Sequence, residues 1–313
     1  SDAPVSGLTT LNGGWHLLGN PFSSAIKWND GNWALTNVDA VAQVWVEADA
    51  SYTTITANTH IPAMNGFFVR ANQSNASLTI PAAAREHNST NWYKSGESQE
   101  RIVLRAIDHE GQTAQSTIIS FDGNATAAYD TEYDSYFLPG FAPQFYSLDQ
   151  QNNKYALNTV PELNSKLSIP LGFVKNQSQH FTIELAQNVT GQTVYLTDHK
   201  TNITTDLNQT SYGFSADNND TNRFTLHFDL VGLPENNINR HQSLHAWYSN
   251  GQLYVSDAEP GIIHLFDLLG RPLYQSQVDN AGLFKQALQL KQGVYIVQLI
   301  SGNITKSVKI SIQ

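Results

Sequence analysis

Residues 100–121 read "ERIVLRAIDHEGQTAQSTIISF". Two strand-like runs flank a turn at Asp108–Gly111, and the stretch predicts a β-hairpin. The same grammar extends in both directions from it. Apolar residues come in runs of four to seven separated by Gly, Asn, Asp and Pro, with almost no helical period, so the whole chain reads as all-β.

Composition agrees. Charged residues are only 14% of the 313, while Asn, Gln, Ser and Thr are abundant and aromatics reach 11%. That is the balance of a β-rich extracellular surface, with uncharged polar outer faces and aromatic inner ones. The charge is uneven: residues 1–239 carry 11 basic and 23 acidic side chains, residues 240–313 carry 6 and 4. An acidic front repels phosphate backbones, so nucleic acid is not an expected partner. Cysteine is absent, which excludes disulfides, thiolate metal sites and cysteine nucleophiles. No run of about twenty apolar residues is long enough to span a membrane. The opening "SDAPVSG" is no signal peptide and reads as a fragment start or a processed end.

Three stretches follow the hairpin outward. Residues 1–94 contain "GGWHLLGNPFSSAIKW", "VAQVWVEADASYTTITA", "IPAMNGFFVRA" and "ASLTIPAA", about six short strands. Residues 95–230 add "KLSIPLGFV", "HFTIELA", "QTVYLTDHKTNITTDL" and "RFTLHFDL" to the hairpin. Periodicity lapses at Val231–Ser243, "VGLPENNINRHQS", a linker by composition. Residues 244–313 hold five strand runs in about seventy residues. Each strand has one apolar face to bury, so tandem antiparallel β-sandwiches, jelly-roll or immunoglobulin-like, are the expected architecture. The last run alternates to its end: Val308, Ile310 and Ile312 share one face, Lys309 and Ser311 the other.

Three motifs of this last region, "GIIHLFDLLGRPL" (Gly261–Leu273), "LKQGVYIVQL" (Leu290–Leu299) and the closing "KSVKISI", resemble the type A sorting domain of proteins exported by the type IX secretion system of Bacteroidota. The "PNP"-like opening of that domain is replaced here by "SLHAWYSNGQLYV". On pattern alone, the residues describe an immunoglobulin-like sandwich. The resemblance implies an export address read by the outer-membrane machinery, a secreted or surface-attached protein, and no catalytic residues. Gly270, Gly293, Tyr295, Lys306 and Lys309 are its implied determinants of fold and recognition. It also implies why the chain closes on a strand: the ending is the element recognised. "GWHLLGNPFSSAIKW", "MNGFFVRA" and "FTLHF" are similar to regions that precede such domains in large secreted proteins, which implies spacer or adhesion modules.

Chemistry elsewhere is sparse. No G-x-S-x-G, H-E-x-x-H, Walker loop or dinucleotide fingerprint occurs, and no enzymatic activity is expected. His241 and His245 form the one i,i+4 histidine pair, placed in a linker rather than on a helix. Asp130, Glu132 and Asp134 are the best acidic cluster. On an extended strand they project to one face at roughly 6.6 Å intervals, inside the window of about 6.5–9.5 Å for an inverting glycosidase pair. The three are candidates for calcium, although Ser135 and Phe141 stand where an EF-hand needs glycine and glutamate; the alternatives are a hydrolase pair or a solvated turn. No other cofactor is expected. Of the six tryptophans, Trp28 and Trp33 flank the polar turn of "IKWNDGNWALTN" and are the candidates for stacking on a glycan, whereas Trp15 and Trp45 read as core. The second functional reading is therefore a carbohydrate-binding module at residues 1–230, attached to a secreted polysaccharide-degrading enzyme.

Overall fold

A computed structural model describes residues 1–87, 101–163, 167–217, 220–228, 244–302 and 304–312. Among them the regular structure is β-strand, with two single 3₁₀ turns at Leu11–Gly14 and Ala82–Ala84. The fold is all-β. No helix of the described residues is long and apolar enough to cross a membrane. The expected linker at 231–243, with His241, and the boundary near residue 94 lie outside the described residues.

The hairpin sequence folds as its pattern demands. Strands Arg101–Asp108 and Thr113–Phe121 flank the turn, and in the first of them burial alternates strictly, with Ile102, Leu104, Ala106 and Asp108 inward. The turn is built on the buried Asp108 carboxylate. Its Oδ1 accepts the Glu110 and Gly111 N–H groups at 3.0 and 2.9 Å, and its Oδ2 accepts Asn176 Nδ2 at 2.7 Å. A Cβ on Gly111 would stand 2.4 Å from that Oδ2, so the position requires glycine.

The chain divides into two compact units. The first comprises Ser1–Val103, Thr113–Leu163 and Gln187–Thr190. Residues 1–87 carry ten strands rather than six, because several are only two or three residues long. They form a sheet of Ala3–Leu8, Ala76–Ile80 and Ala34–Thr36, a sheet of Trp15–Gly19, Gly66–Arg70, Ala42–Val46 and Ser51–Ile55, and a small sheet of Arg85–Glu86, Ala25–Lys27 and His60–Ile61. Ile26, Trp28, Trp33, Val44, Phe67 and Leu78 meet in the core of these sheets. Strand Lys154–Val160 pairs antiparallel with Gln144–Leu148 and Ser135–Tyr136, but parallel with the second hairpin strand, Ile118 opposite Leu157 through Phe121 opposite Val160. This departs from the wholly antiparallel expectation. The connection between the parallel partners exceeds thirty residues, ample for the crossover that parallel pairing needs.

The second unit comprises Leu104–Gln112, Asn164–Ala186 and Gly191–Gln313. Strands Ile203–Asp206, Tyr195–Asp198, Asp220–His227 and Ser168–Val174 pair in that order, and His180–Gln187 pairs with Tyr212–Ser215. Phe173, Phe181, Phe214 and Phe224 contact one another with centroids 4.9–6.4 Å apart. Beside them Arg223 grips the buried Asp198 through Nε and Nη2, the latter at 2.7 Å, and lies over the rings of Phe214 and Phe224. Residues 244–312 form two facing sheets. One orders His245–Ser249, Gln252–Ala258 and Gly282–Ala287; the other orders Pro272–Val278, Gly261–Asp267, Gly293–Ser301 and Ile304–Ile312. Leu253, Val255, Ile263, Leu265, Val297 and Leu299 fill the space between them. The opposite face of the first sheet presents Trp247, against which His180 stacks at 5.3 Å, with His245 and His109 at 5.3 and 5.9 Å.

Candidate functional site

The determinants expected in the last seventy residues fall mostly at one end of one sheet. Strand Ile304–Ile312 pairs along its whole length with Gly293–Ser301, from Ser301 opposite Ile304 to Gly293 opposite Ile312. It is the edge of its sheet, while Gly293–Ser301 is internal, in keeping with a sequence apolar on both faces. Tyr295 pairs with Asp267 across the sheet and donates its hydroxyl to the Lys291 carbonyl at 2.8 Å, which ties the start of its strand to the preceding turn. Asp267 closes the turn that carries Gly270. Its carboxylate accepts the N–H groups of Leu269 and Arg271 at 2.9 Å and the Arg271 guanidinium at 2.7 Å. Those Arg271 bonds hold the Asp267 carboxyl below its usual range. Gly270 takes φ +77°, a left-handed conformation that favours glycine.

The two lysines separate. Lys309 lies on the outer face of the edge strand and is exposed, opposite Ile296. Lys306 has the inward parity of Val308 and Ile310, is 11% exposed, and donates to Glu259 Oε1 at 2.8 Å. It therefore fastens the strand at the far end of the sheet. Sequence reasoning also missed Leu268 and Leu269, 63% and 80% exposed at the tip of the Gly270 turn. The signal was present, since "DLLG" places two leucines where turns carry polar residues.

Trp28 and Trp33 are not glycan platforms. Trp28 is fully buried and Trp33 is 8% exposed; the two rings meet edge to face at 4.7 Å and both pack on Phe67. Their indole N–H groups donate to the carbonyls of Ala40 and Lys27, both at 2.8 Å. The polar turn between them had suggested exposure, but the flanking strands carry both rings into the core.

Asp130, Glu132 and Asp134 lie in a turn rather than on a strand, since the N–H groups of Tyr133 and Asp134 donate to the Asp130 carbonyl. The regular spacing expected of an extended chain is lost. Asp130 Oδ2 accepts the Thr126 N–H at 2.6 Å. Asp134 points inward and accepts the N–H groups of Asp130 and Thr159 at 2.8 and 2.7 Å; burial pushes its carboxyl up to about 6 against those bonds. Glu132 instead opens, with Asp122 and Tyr133, on a cleft of about 320 Å³. Among the described residues no three of His, Asp and Glu gather closely enough to hold a metal ion. The turn is anchored by Tyr129, whose hydroxyl donates to the buried Asp39. Arg70 donates to the same carboxylate at 3.0 Å and stacks on Tyr136 at 4.3 Å. The acids thus sit where the chain is folded over for structural reasons.

No curated protein matches the sequence. Residues 33–228, which span most of the first unit and the paired strands up to His227, match a domain family of unknown function, and the chain belongs to that family, DUF8693.

Proposed function

We propose that residues 244–313 are a type IX sorting and surface-attachment module, and that the β-units before it are non-catalytic spacer or adhesion modules of a secreted or cell-surface bacterial protein. The observation that carries this reading is the edge strand Ile304–Ile312. An edge strand offers unpaired backbone N–H and C=O groups to an added strand, and protein partners often bind by that route. Here it is nine residues long, carries the exposed Lys309, and finishes at the same end of the sheet as the Gly270 turn with its two exposed leucines, across the intervening strand Gly293–Ser301. The outer-membrane export machinery is the proposed partner.

The test is export. A periplasmic reporter is fused ahead of the whole chain, with and without residues 240–313, in a type IX-competent cell. The whole-chain fusion is expected outside and the truncated one inside. Retention of both, or export of both, overturns the reading. Within the exported fusion, Lys309→Glu should lower the exported fraction severalfold with the melting temperature unchanged.

A further inference from the structure

We propose that the open part of the face that carries Trp45, Tyr52 and Phe68, on the sheet built from Trp15–Gly19, Gly66–Arg70, Ala42–Val46 and Ser51–Ile55, binds a neutral polysaccharide along these half-buried rings and the exposed Phe141. Trp45 and Tyr52 are directly paired across neighbouring strands. Successive centroids lie 5.9, 5.0 and 5.2 Å apart from Phe141 to Phe68, each ring set edge to face against the next at 86°, 67° and 79°, so the row is stepped rather than flat. Tyr52 and Phe68 meet over the strand between them; Gln43 on that strand is buried and donates to Ser135 Oγ and the Tyr136 carbonyl, which close that part of the face, and the open part runs on to Leu17, which is paired with Phe68 and exposed.

The first ring is presented deliberately. Phe141 is 79% exposed, yet its loop is fixed: the N–H groups of Phe141 and Ala142 both donate to the Ala50 carbonyl, at 2.9 and 3.1 Å. Gly140 beneath it has no room for a side chain, since a Cβ would lie 2.7 Å from that same oxygen and 3.0 Å from the Trp45 ring. A large ring held still in water gains nothing for the fold. It does lower the ordering cost of binding. The Trp45 indole is oriented in turn by its N–H donating to Glu47 Oε2 at 2.6 Å.

The ligand class follows from what surrounds the rings. Sugar C–H faces pack on aromatic rings while their hydroxyls seek hydrogen bonds. The Glu47 carboxylate and the Tyr52 hydroxyl supply those, the latter making no hydrogen bond among the described residues. Arg70, two residues from Phe68 on the same strand, is committed to Asp39 and to the carbonyl of Gly13. With Arg70 so committed, the Glu47 carboxylate beside the rings disfavours acidic polysaccharides, so the polymer recognised is uncharged.

Affinity electrophoresis of the whole chain in gels containing hydroxyethyl cellulose, xylan, galactomannan or laminarin, with alginate as the anionic comparison, tests the proposal. Retardation by at least one neutral polymer is expected, and Phe141→Ala should weaken it about tenfold, the equivalent of one lost ring contact. Phe141 is on the surface, so that variant keeps its melting temperature; Tyr52→Phe provides a second variant that keeps the ring and loses the hydroxyl. No retardation by any neutral polymer overturns the proposal, as does equal retardation of wild type and Phe141→Ala, or retardation by alginate alone. Concentration-dependent dimerisation that Phe141→Ala abolishes would instead make the row a contact between copies and also overturn it. Export of the fused reporter is independent of every one of these outcomes.

Discussion

Asp198 and Arg223 show how a single pair of residues governs the second unit. Burial alone would push the Asp198 carboxyl up, but the bonds from Arg223 and the Tyr212 hydroxyl hold it below its ordinary range. Removing Asp198 takes away the bidentate partner of the buried Arg223 and leaves it Asp220 and the Ser215 carbonyl, so Asp198→Ala should lower stability by about 3 kcal/mol in urea unfolding. The double variant Asp198→Leu/Arg223→Met should recover most of the loss, because the pair's desolvation cost leaves with it. Trp28 makes the opposite case to the one its sequence context suggested. Trp28→Ala should cost about 3–5 kcal/mol, because it empties a fully buried site and removes an indole hydrogen bond. If the variant keeps its unfolding midpoint, the ring is not core. Tryptophans beside a polar turn do not declare their side from sequence, since exposure depends on which sheet face the next strand covers.

Among the elements, the strand His245–Ser249 has two commitments. Ala246 and Tyr248 pack into the last sandwich, while His245 and Trp247 face His180 and His109. Burial lowers the pKa of all three histidines, to about 4 for His180 and His245. Around them, Glu110 and Asp217 face His180, Asp108 and Lys285 face His109, and Arg223 adds to His180 in opposing a charge on His245. A histidine whose folded pKa is depressed contributes full stability above its unfolded value near 6.5 and loses it as pH falls toward 4. The contact should therefore weaken between pH 6.5 and 4, by on the order of 3 kcal/mol for each of the two strongly shifted rings. Trp247 fluorescence in His180→Gln should lose about half of that pH dependence, and an unchanged titration would show that other groups drive it. Nothing in the sequence marked this cluster, because its histidines are 71 and 65 residues apart along the chain and meet only through tertiary packing. The period-two strands were legible: Arg101–Asp108 and Ile304–Ile312 alternate as their residues alternate. The turn at Asp130–Asp134 was not, because three acids at alternate positions carry the pattern of a strand while the Tyr129–Asp39 bond, set by residues 90 apart, decides the conformation.

At the scale of the whole molecule, the composition made the all-β class readable, but the division into units was not, because it interleaves the chain. The path passes between the units after Val103, Gln112, Leu163, Ala186 and Thr190. Linear reading assumes contiguous domains, and a nine-residue excursion such as Leu104–Gln112 leaves no compositional mark. Its contribution is nevertheless large. Leu104 and Ala106 are fully buried, Asp108 accepts from Asn176, His109 bonds Thr182 at 3.1 Å and Arg105 faces Glu184. A fragment of residues 164–313 therefore lacks part of the second unit's interior. Its last sandwich should retain dispersed amide resonances, because its core is drawn wholly from residues 244–310, while resonances of residues 168–227 should collapse. Fusing residues 100–121 to the fragment's N-terminus through a long glycine-serine linker should restore them. Full dispersion without those residues would show that the hairpin is dispensable; loss of dispersion from the last sandwich as well would show that it depends on the contacts around Trp247 for its own fold.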